Sequence, residues 1–222
     1  IFWTRSQLEA APDDPMRNQR RWQFLMQRPM TVREERMLFV HGSPRRPINE
    51  YIFPDDVASA PDKLSTIFER VPRVCFVGHT HQPGVFTDEP DFYMPGELTN
   101  QTYTISENEK AIINVGSVGQ PRDYDARASF VIVDGPTVQF VRVAYDVEAA
   151  AKKIKAVPQL SDWLADRLLE QRQDQLVLAV EVLVEAAQRL LRPVDHLLDR
   201  ELGRALLIDE LEGGVEEALD AL

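Results

Sequence analysis

The chain has little of three things that would otherwise decide its class. It contains one cysteine, Cys75, in 222 residues, so no disulfide framework holds it together and a reducing compartment is predicted. Its longest apolar run, 176–184, is interrupted by Glu181 and is too short to span a bilayer. The chain has no net positive charge either, because 25 Lys and Arg stand against 36 Asp and Glu; the formal net charge of −11 argues against nucleic acid as a bulk partner. We therefore expect a cytoplasmic protein without a membrane segment.

Apolar residues, in contrast, are present in the proportion that an ordinary globular core needs. Hydrophobic residues make up 44% of the chain and charged residues 27%, without a low-complexity tract. The length fits one large domain or one domain with an appendage. Residues 171–222 hold five Arg against twelve Asp or Glu, so much of the negative charge lies there. We predict a main domain over 1–170 and an acidic helical extension over 171–222.

Three of the four histidines follow short apolar runs. The run 73–77 leads through a glycine to His79 and His81, and the run 37–40 leads directly to His41. Alternation along an extended chain would point His79 and His81 to the same side. Ligands collect at the carboxyl ends of strands in open α/β sheets, and neutral imidazole binds Zn, Mn, Fe and Ni. The pattern indicates a metal site at this edge of the sheet, although two strand ends with solvent-facing histidines would give the same sequence pattern.

Hydrophobic periodicity predicts a mixed α/β fold. Helices are predicted at 1–11, 16–27, 62–70, 147–154 and 161–169, and strands at 37–40, 73–77, 85–87, 102–105, 111–115, 129–133 and 137–143. The first part reads as a βαβ-like unit, and the later strands as an antiparallel or mixed extension of its sheet. Residues 85–87 are expected to be the hairpin partner of the preceding strand. In the extension, a helical stripe of apolar residues (Leu176, Val180, Leu183, Ala187 and Leu190) favours docking on a partner or a second copy, and a strand at 176–184 stays open.

Three motifs together resemble one known family. Val-His-Gly-Ser-Pro at 40–44, Gly-His-Thr-His at 78–81 and Asn-Val-Gly-Ser-Val-Gly-Gln-Pro-Arg at 114–122 occur in the order and spacing of the calcineurin-like metallophosphoesterases. The resemblance covers roughly residues 1–170, and its nearest branch is the bacterial phosphodiesterase type related to diadenosine tetraphosphatases. It implies a four-layer αββα sandwich, here without its N-terminal part. It also implies hydrolysis of a phosphomonoester, phosphodiester or nucleotide-type substrate by metal-hydroxide attack at a two-metal centre.

The resemblance also implies roles for single residues. His41 and His79 match ligands of the second metal, and His81 matches a ligand of the first; Mn, Fe, Ni, Co or Zn would serve as the two divalent ions. Separately, the glycine-rich turn at 116–122 offers backbone N–H groups and a guanidinium to a phosphate oxygen. We therefore name as substrate-binding candidates Gly116, Ser117, Arg122 and, beside His41, Ser43. A purely structural turn explains the glycine-rich segment about equally well.

Several motifs of that family are absent from the chain. Asp-x-His, Gly-Asp-x-x-Asp and Gly-Asn-His-Asp/Glu occur nowhere in residues 1–222, and in the family they supply the bridging aspartate, further ligands and the catalytic histidine. We expect them upstream of this segment, so the chain would carry half a site, no catalytic residue and little activity of its own. The alternative is a non-catalytic scaffold on the same fold, as in the retromer subunit that resembles these enzymes, with the extension as an interaction segment.

Overall fold

A computed structural model describes residues 2–9 and 14–171. The predictions for the extension concern its helices, its apolar stripe and its role in an oligomer. Apart from Gln171, that segment lies outside the described residues. The boundary between a domain at 1–170 and an extension at 171–222 therefore stays a prediction.

The described residues form two sheets and several helices in a mixed α/β order. The elements are α1 Phe2–Leu8, α2 Pro15–Met26, β1 Thr31–Glu34, β2 Met37–Val40, α3 Asp56–Ser59, α4 Pro61–Phe68, β3 Val74–Val77, β4 Gly84–Thr87, β5 Asp91–Tyr93, β6 Thr102–Thr104, β7 Ala111–Asn114, β8 Ala128–Asp134, β9 Thr137–Val143 and α5 Val147–Lys155. Short 3₁₀ turns precede β6, and residues 163–171 are helical. The predicted fold class is confirmed.

The larger sheet places three parallel strands side by side. Its order is β1-β2-β3-β7-β4-β5, in which β2, β3 and β7 run parallel while the other neighbours pair antiparallel. Parallel neighbours end at the same edge, so the residues that follow β2 and β3 must meet there. The smaller sheet, β6-β9-β8, is antiparallel throughout.

The central strands are apolar on both faces because each face is covered. In β3, Cys75 and Val77 pack with α4, whereas Val74 and Phe76 pack toward the smaller sheet. All four residues of this strand are buried, which is why the sequence shows a continuous apolar run rather than an alternation. Helices, large sheet and small sheet thus form successive layers. Burial raises the pKa of the Cys75 thiol to about 12, so this cysteine is a core residue without thiolate character.

Two parts of the strand prediction need correction. Strand β4 does not pair with β3; it lies between β7 and β5, and β5 is its hairpin partner. Strands β1 and β5 were not predicted at all. Every residue of β1 is exposed, so it carries no hydrophobic alternation by which a sequence could reveal it. Within the described ranges, no helix has the length and apolar character to cross a membrane.

Replacement of Gly84 by alanine should destabilise the large sheet. A Cβ atom at this position would lie 2.3 Å from Cζ of Phe92 and 2.8 Å from the carbonyl oxygen of Tyr93. The backbone and Phe92 would have to shift to make room. This overpacking should lower the free energy of unfolding, measured by urea denaturation, by about 1–3 kcal/mol. Gly96→Ala is the matched control, because nothing lies within 4 Å of its added Cβ. Equal stabilities of the two variants would contradict this view of the packing.

Candidate metal centre

The ends of two adjacent strands bring the histidines together. His41 follows β2, and Gly78 to His81 follow β3. The backbone N–H of Gly78 donates to the carbonyl oxygen of His41 over 3.0 Å, which joins the two segments directly. The imidazole rings of His41 and His79 contact each other edge to face, with centroids 4.6 Å apart. The structure thus brings these two predicted residues to one edge of the sheet.

The segment after β3 is not extended, which corrects the alternation assumed from the sequence. His79 and His81 both adopt left-handed backbone conformations, with φ of 60° and 62°. Residues other than glycine adopt this backbone conformation uncommonly, although His, Asn and Asp do so more often than the rest, and it persists where the surrounding structure holds it. The two imidazoles owe their positions to this tight turn and not to strand alternation.

A buried asparagine holds the turn in place. Asn114, at the end of β7, is 1% exposed. Its Nδ2 donates to the carbonyl oxygen of Gly78 over 2.9 Å and to Oγ1 of Thr80 over 2.6 Å. Its Oδ1 accepts the N–H of Gly116 over 3.0 Å. One amide therefore links the histidine turn to the glycine-rich turn.

His81 is oriented by a backbone carbonyl. Its Nδ1 lies 2.6 Å from the carbonyl oxygen of Gln120. Because a carbonyl oxygen can only accept, Nδ1 carries the proton and the lone pair is on Nε2. The second ring nitrogen of a metal-bound histidine commonly makes this kind of hydrogen bond, which sets the tautomer and the ring direction. His81 therefore has the protonation that a ligand binding through Nε2 requires.

His79 has an unsatisfied ring nitrogen. Its Nε2 is buried and makes no hydrogen bond. Tyr51 stacks on the same ring with centroids 3.9 Å apart, and Phe53 stacks in turn on Tyr51 at 5.3 Å. A buried polar atom without a partner is costly, so its persistence here calls for an explanation such as an ion.

Both histidines are held in their neutral forms. Burial, followed by the nearby His41, His81 and Arg122, lowers the pKa of His79. Burial also lowers the pKa of His81, although the hydrogen bond to Gln120 opposes it. Neutral imidazole is the form that binds metals, because an imidazolium nitrogen has no free lone pair.

The nitrogen donors fit a metal ion but do not complete its coordination shell. Across residues 2–9 and 14–171, no group of three or more His, Cys, Asp or Glu side chains is arranged to hold a metal ion. The unpaired Nε2 of His79 and the tautomer of His81 both agree with a metal site. We conclude that the described histidines fit part of a coordination shell.

Ser43 does not lie where a substrate could contact it. The residue is completely buried, and its hydroxyl donates to the carboxylate of Glu50 while accepting the N–H groups of Arg45 and Arg46. Burial opposes ionisation of Glu50, but the hydrogen bonds from Arg45 and Ser43 prevail and lower its pKa. Ser43 and Glu50 therefore support the loop after His41, and the structure gives no support to the predicted substrate contact.

Gly116 and Ser117, the predicted substrate-binding residues of the glycine-rich turn, stabilise the conformation of that turn. Gly116 has a φ of 78°, and a Cβ there would lie 2.5 Å from Oγ of Ser129. Its N–H is already bound by Asn114, so it is not free for a phosphate. Oγ of Ser117 accepts the N–H groups of Gly119 and Gln120. For Gly116 and Ser117 the structural alternative fits better than phosphate binding.

Arg122, the last of the predicted substrate-binding residues, is joined to the histidine turn. Its backbone N–H donates to the carbonyl oxygen of His81 over 3.2 Å, which joins it to the histidine turn. One terminal nitrogen donates to Oε1 of Gln120, whereas its Nε is buried without a partner. Sequence reasoning missed the role of Gln120 and did not consider Arg167, whose charge also acts on His81. Gln120 belongs to the glycine-rich motif but acts through its backbone carbonyl, which the residue type does not reveal, and Arg167 belongs to none of the three motifs.

The fold agrees with comparisons to known proteins. The family model for the calcineurin-like phosphoesterase superfamily domain matches residues 16–137, so the chain belongs to that superfamily. An uncharacterized protein of Methanocaldococcus jannaschii, MJ0912, is 36% identical over 152 residues, which cover 65% of this chain and 57% of that protein. The crystal structure of a metallophosphoesterase from Sphaerobacter thermophilus matches with a TM-score of 0.60 and 30% identity, over 68% of this chain and 63% of that one. The chain thus spans less than two thirds of either relative.

Removal of the Asn114 side chain should loosen the site and the sheet together. Asn114→Ala would leave the buried N–H of Gly116 without its acceptor and the buried Oγ1 of Thr80 without its donor. Each such group costs about 1–3 kcal/mol, so a loss of at least that size is expected in urea denaturation. Asn108→Ala, at an exposed position, is the control and should change stability little. If both variants unfold alike, Asn114 does not anchor the two turns.

Proposed function

We propose that this chain is part of a metal-dependent phosphoesterase, in which His41, His79 and His81 bind divalent metal and Arg122 binds the substrate phosphate. The observation that carries the proposal is the buried, unpaired Nε2 of His79 beside the ring of His41. Membership of the calcineurin-like phosphoesterase superfamily supports it, since phosphoester hydrolysis with divalent metals is typical of that family. The proposed substrates are phosphomonoesters, phosphodiesters or nucleotides, and the proposed setting is the cytoplasm.

The family chemistry needs two metal ions, of Mn, Fe, Ni, Co or Zn. When bound, such ions polarise the phosphoryl oxygens and supply a water nucleophile that is active near neutral pH. The residues of this chain prepare that setting. Gln120 keeps the proton of His81 on Nδ1, and Tyr51 covers one face of His79. Arg122 offers positive charge and an unpaired Nε–H beside the histidine turn.

Carboxylate ligands would complete the centre. In the two-metal centre of the family an aspartate bridges the ions, and the described histidines have no carboxylate arranged with them. We propose that the remaining ligands, including the bridging aspartate and the catalytic histidine, come from residues outside those that the structure describes. The family motifs that carry these groups occur nowhere in residues 1–222, so we expect hydrolysis by residues 1–222 alone to be weak.

Metal titration tests the proposal. Calorimetric titration of the chain with Mn²⁺ or Zn²⁺ should show binding. His79→Ala should lower the metal affinity by at least about tenfold. Loss of a residue that only hydrogen-bonds to a metal ligand already lowers affinity by about that factor, and loss of the ligand itself should lower it no less. His196→Ala replaces the fourth histidine, which lies outside the described residues, and should bind as the unchanged chain does. Absence of binding, or equal losses in both variants, would contradict the metal site and favour the non-catalytic scaffold.

A further inference from the structure

Two aromatic rings continue outward from His79. Tyr51 stacks on the imidazole of His79 with centroids 3.9 Å apart and 23° between the ring planes. Phe53 stacks almost parallel on Tyr51, with centroids 5.3 Å apart and 3° between the planes. The three rings form a series that begins at a proposed metal ligand and ends at Phe53. We call Tyr51 and Phe53 the aromatic platform.

The platform is open to solvent although its side chains are largely apolar. Tyr51 is 42% exposed and Phe53 is 44% exposed. Ile52, between them in the chain, is buried in the core cluster that includes Leu64 and Ile67. Core packing therefore accounts for Ile52 but not for the two rings beside it. A contiguous pair of exposed rings next to a candidate site is a feature of binding surfaces, unlike a single exposed apolar residue.

Polar contacts on both sides of the platform fix its backbone. On the N-terminal side, the carboxylate of Glu50 accepts hydrogen bonds from the hydroxyl of Ser43 and the guanidinium of Arg45. On the C-terminal side, the backbone N–H of Phe53 donates to Oδ2 of Asp56 over 2.8 Å. The rings are thus held in place in the absence of a ligand. A ligand that stacks on them loses little affinity to the ordering of loop and side chains.

The order of the rings limits what the platform can hold. Tyr51 lies between His79 and Phe53 in the series of contacts, so a ring stacked on Phe53 lies away from a phosphate held at the histidines. The aromatic group and the phosphate of one ligand must then be joined by a spacer. The sugar of a nucleotide is such a spacer, and the π face of any nucleobase stacks on an aromatic side chain.

We propose that Tyr51 and Phe53 bind the base of a nucleotide-type substrate whose phosphate lies at the histidines. Phe53 offers the stacking surface, and Tyr51 supports it from the His79 side. The proposal rests on the proposed phosphoesterase function and narrows its substrate class to phosphate esters that carry a base. Stacking tolerates every base, so the platform selects the class and not one nucleotide.

A comparison of adenosine 5′-monophosphate (AMP) with ribose 5-phosphate separates the base from the phosphate. The two molecules share sugar and phosphate, and AMP carries adenine in place of the anomeric hydroxyl. Their affinities for the chain are measured by protein NMR titration, once with stoichiometric Zn²⁺ and once with a chelator. AMP should bind at least about fivefold more tightly than ribose 5-phosphate in both conditions, which is the lower end of what base stacking contributes.

Substitutions at Phe53 test whether the platform causes this preference. Phe53→Leu keeps an apolar side chain but removes the aromatic face, and it should lower the affinity for AMP by about fivefold or more without changing that for ribose 5-phosphate. Phe53→Tyr keeps the face and should keep the preference. Phe130→Leu is the matched control, because Phe130 is a phenylalanine of β8 that is 37% exposed, and it should change neither affinity.

Three results would overturn the platform. They are equal affinities of the two ligands for the unchanged chain, an AMP preference that persists in Phe53→Leu, and equal losses in Phe53→Leu and Phe130→Leu. Phenyl phosphate, in which the ring is joined directly to the phosphate, should lose less affinity than AMP in Phe53→Leu, and an equal loss would overturn the assignment to nucleotides. Metal affinity is measured on the same chain by calorimetry, so failure of the metal site and failure of the platform are distinguishable.

Discussion

One buried amide determines how the candidate site is built. Asn114 bonds to the turn that presents His79 and His81, and also to Gly116 at the start of the glycine-rich turn. Because β7 lies beside β3 in the sheet, this residue is positioned by the core itself. The left-handed conformations of the two histidines persist because bonds of this kind hold the surrounding backbone. The geometry of the site is thus a consequence of the packed parallel strands.

The electrostatics of the site follow from the same arrangement. Burial and neighbouring positive groups keep His79 and His81 neutral, and the neutral form is the one that binds metal. Arg122 adds positive charge beside the histidine turn, and none of the ion pairs formed by described residues includes it. A site with neutral nitrogen donors and a guanidinium group suits a cation and a phosphate anion together. This combination is the physical reason for proposing phosphoester chemistry at this edge of the sheet.

Sequence reasoning located the histidines but not the roles of their neighbours. A short apolar run followed by His reveals a strand end, and parallel strands bring such ends together, so the meeting of His41 and His79 was predictable. Their function as ligands stays a proposal. The role of Ser43 was not predictable, because its hydroxyl partners are set by how the loop folds back on Glu50. Arg167 was missed because only tertiary packing brings its helix to the loop after Arg122.

The central claim is that the imidazoles at the ends of β2 and β3 bind one metal centre through their unpaired nitrogens. The most direct measurement is ¹⁵N NMR of the histidine side chains during titration with Zn²⁺, which reports the state of each ring nitrogen. The account predicts that Nε2 of His79 and of His81 acquire the shift of a coordinated nitrogen while Nδ1 of His81 stays protonated against Gln120. Zn²⁺ binding that leaves both Nε2 resonances unchanged would contradict it.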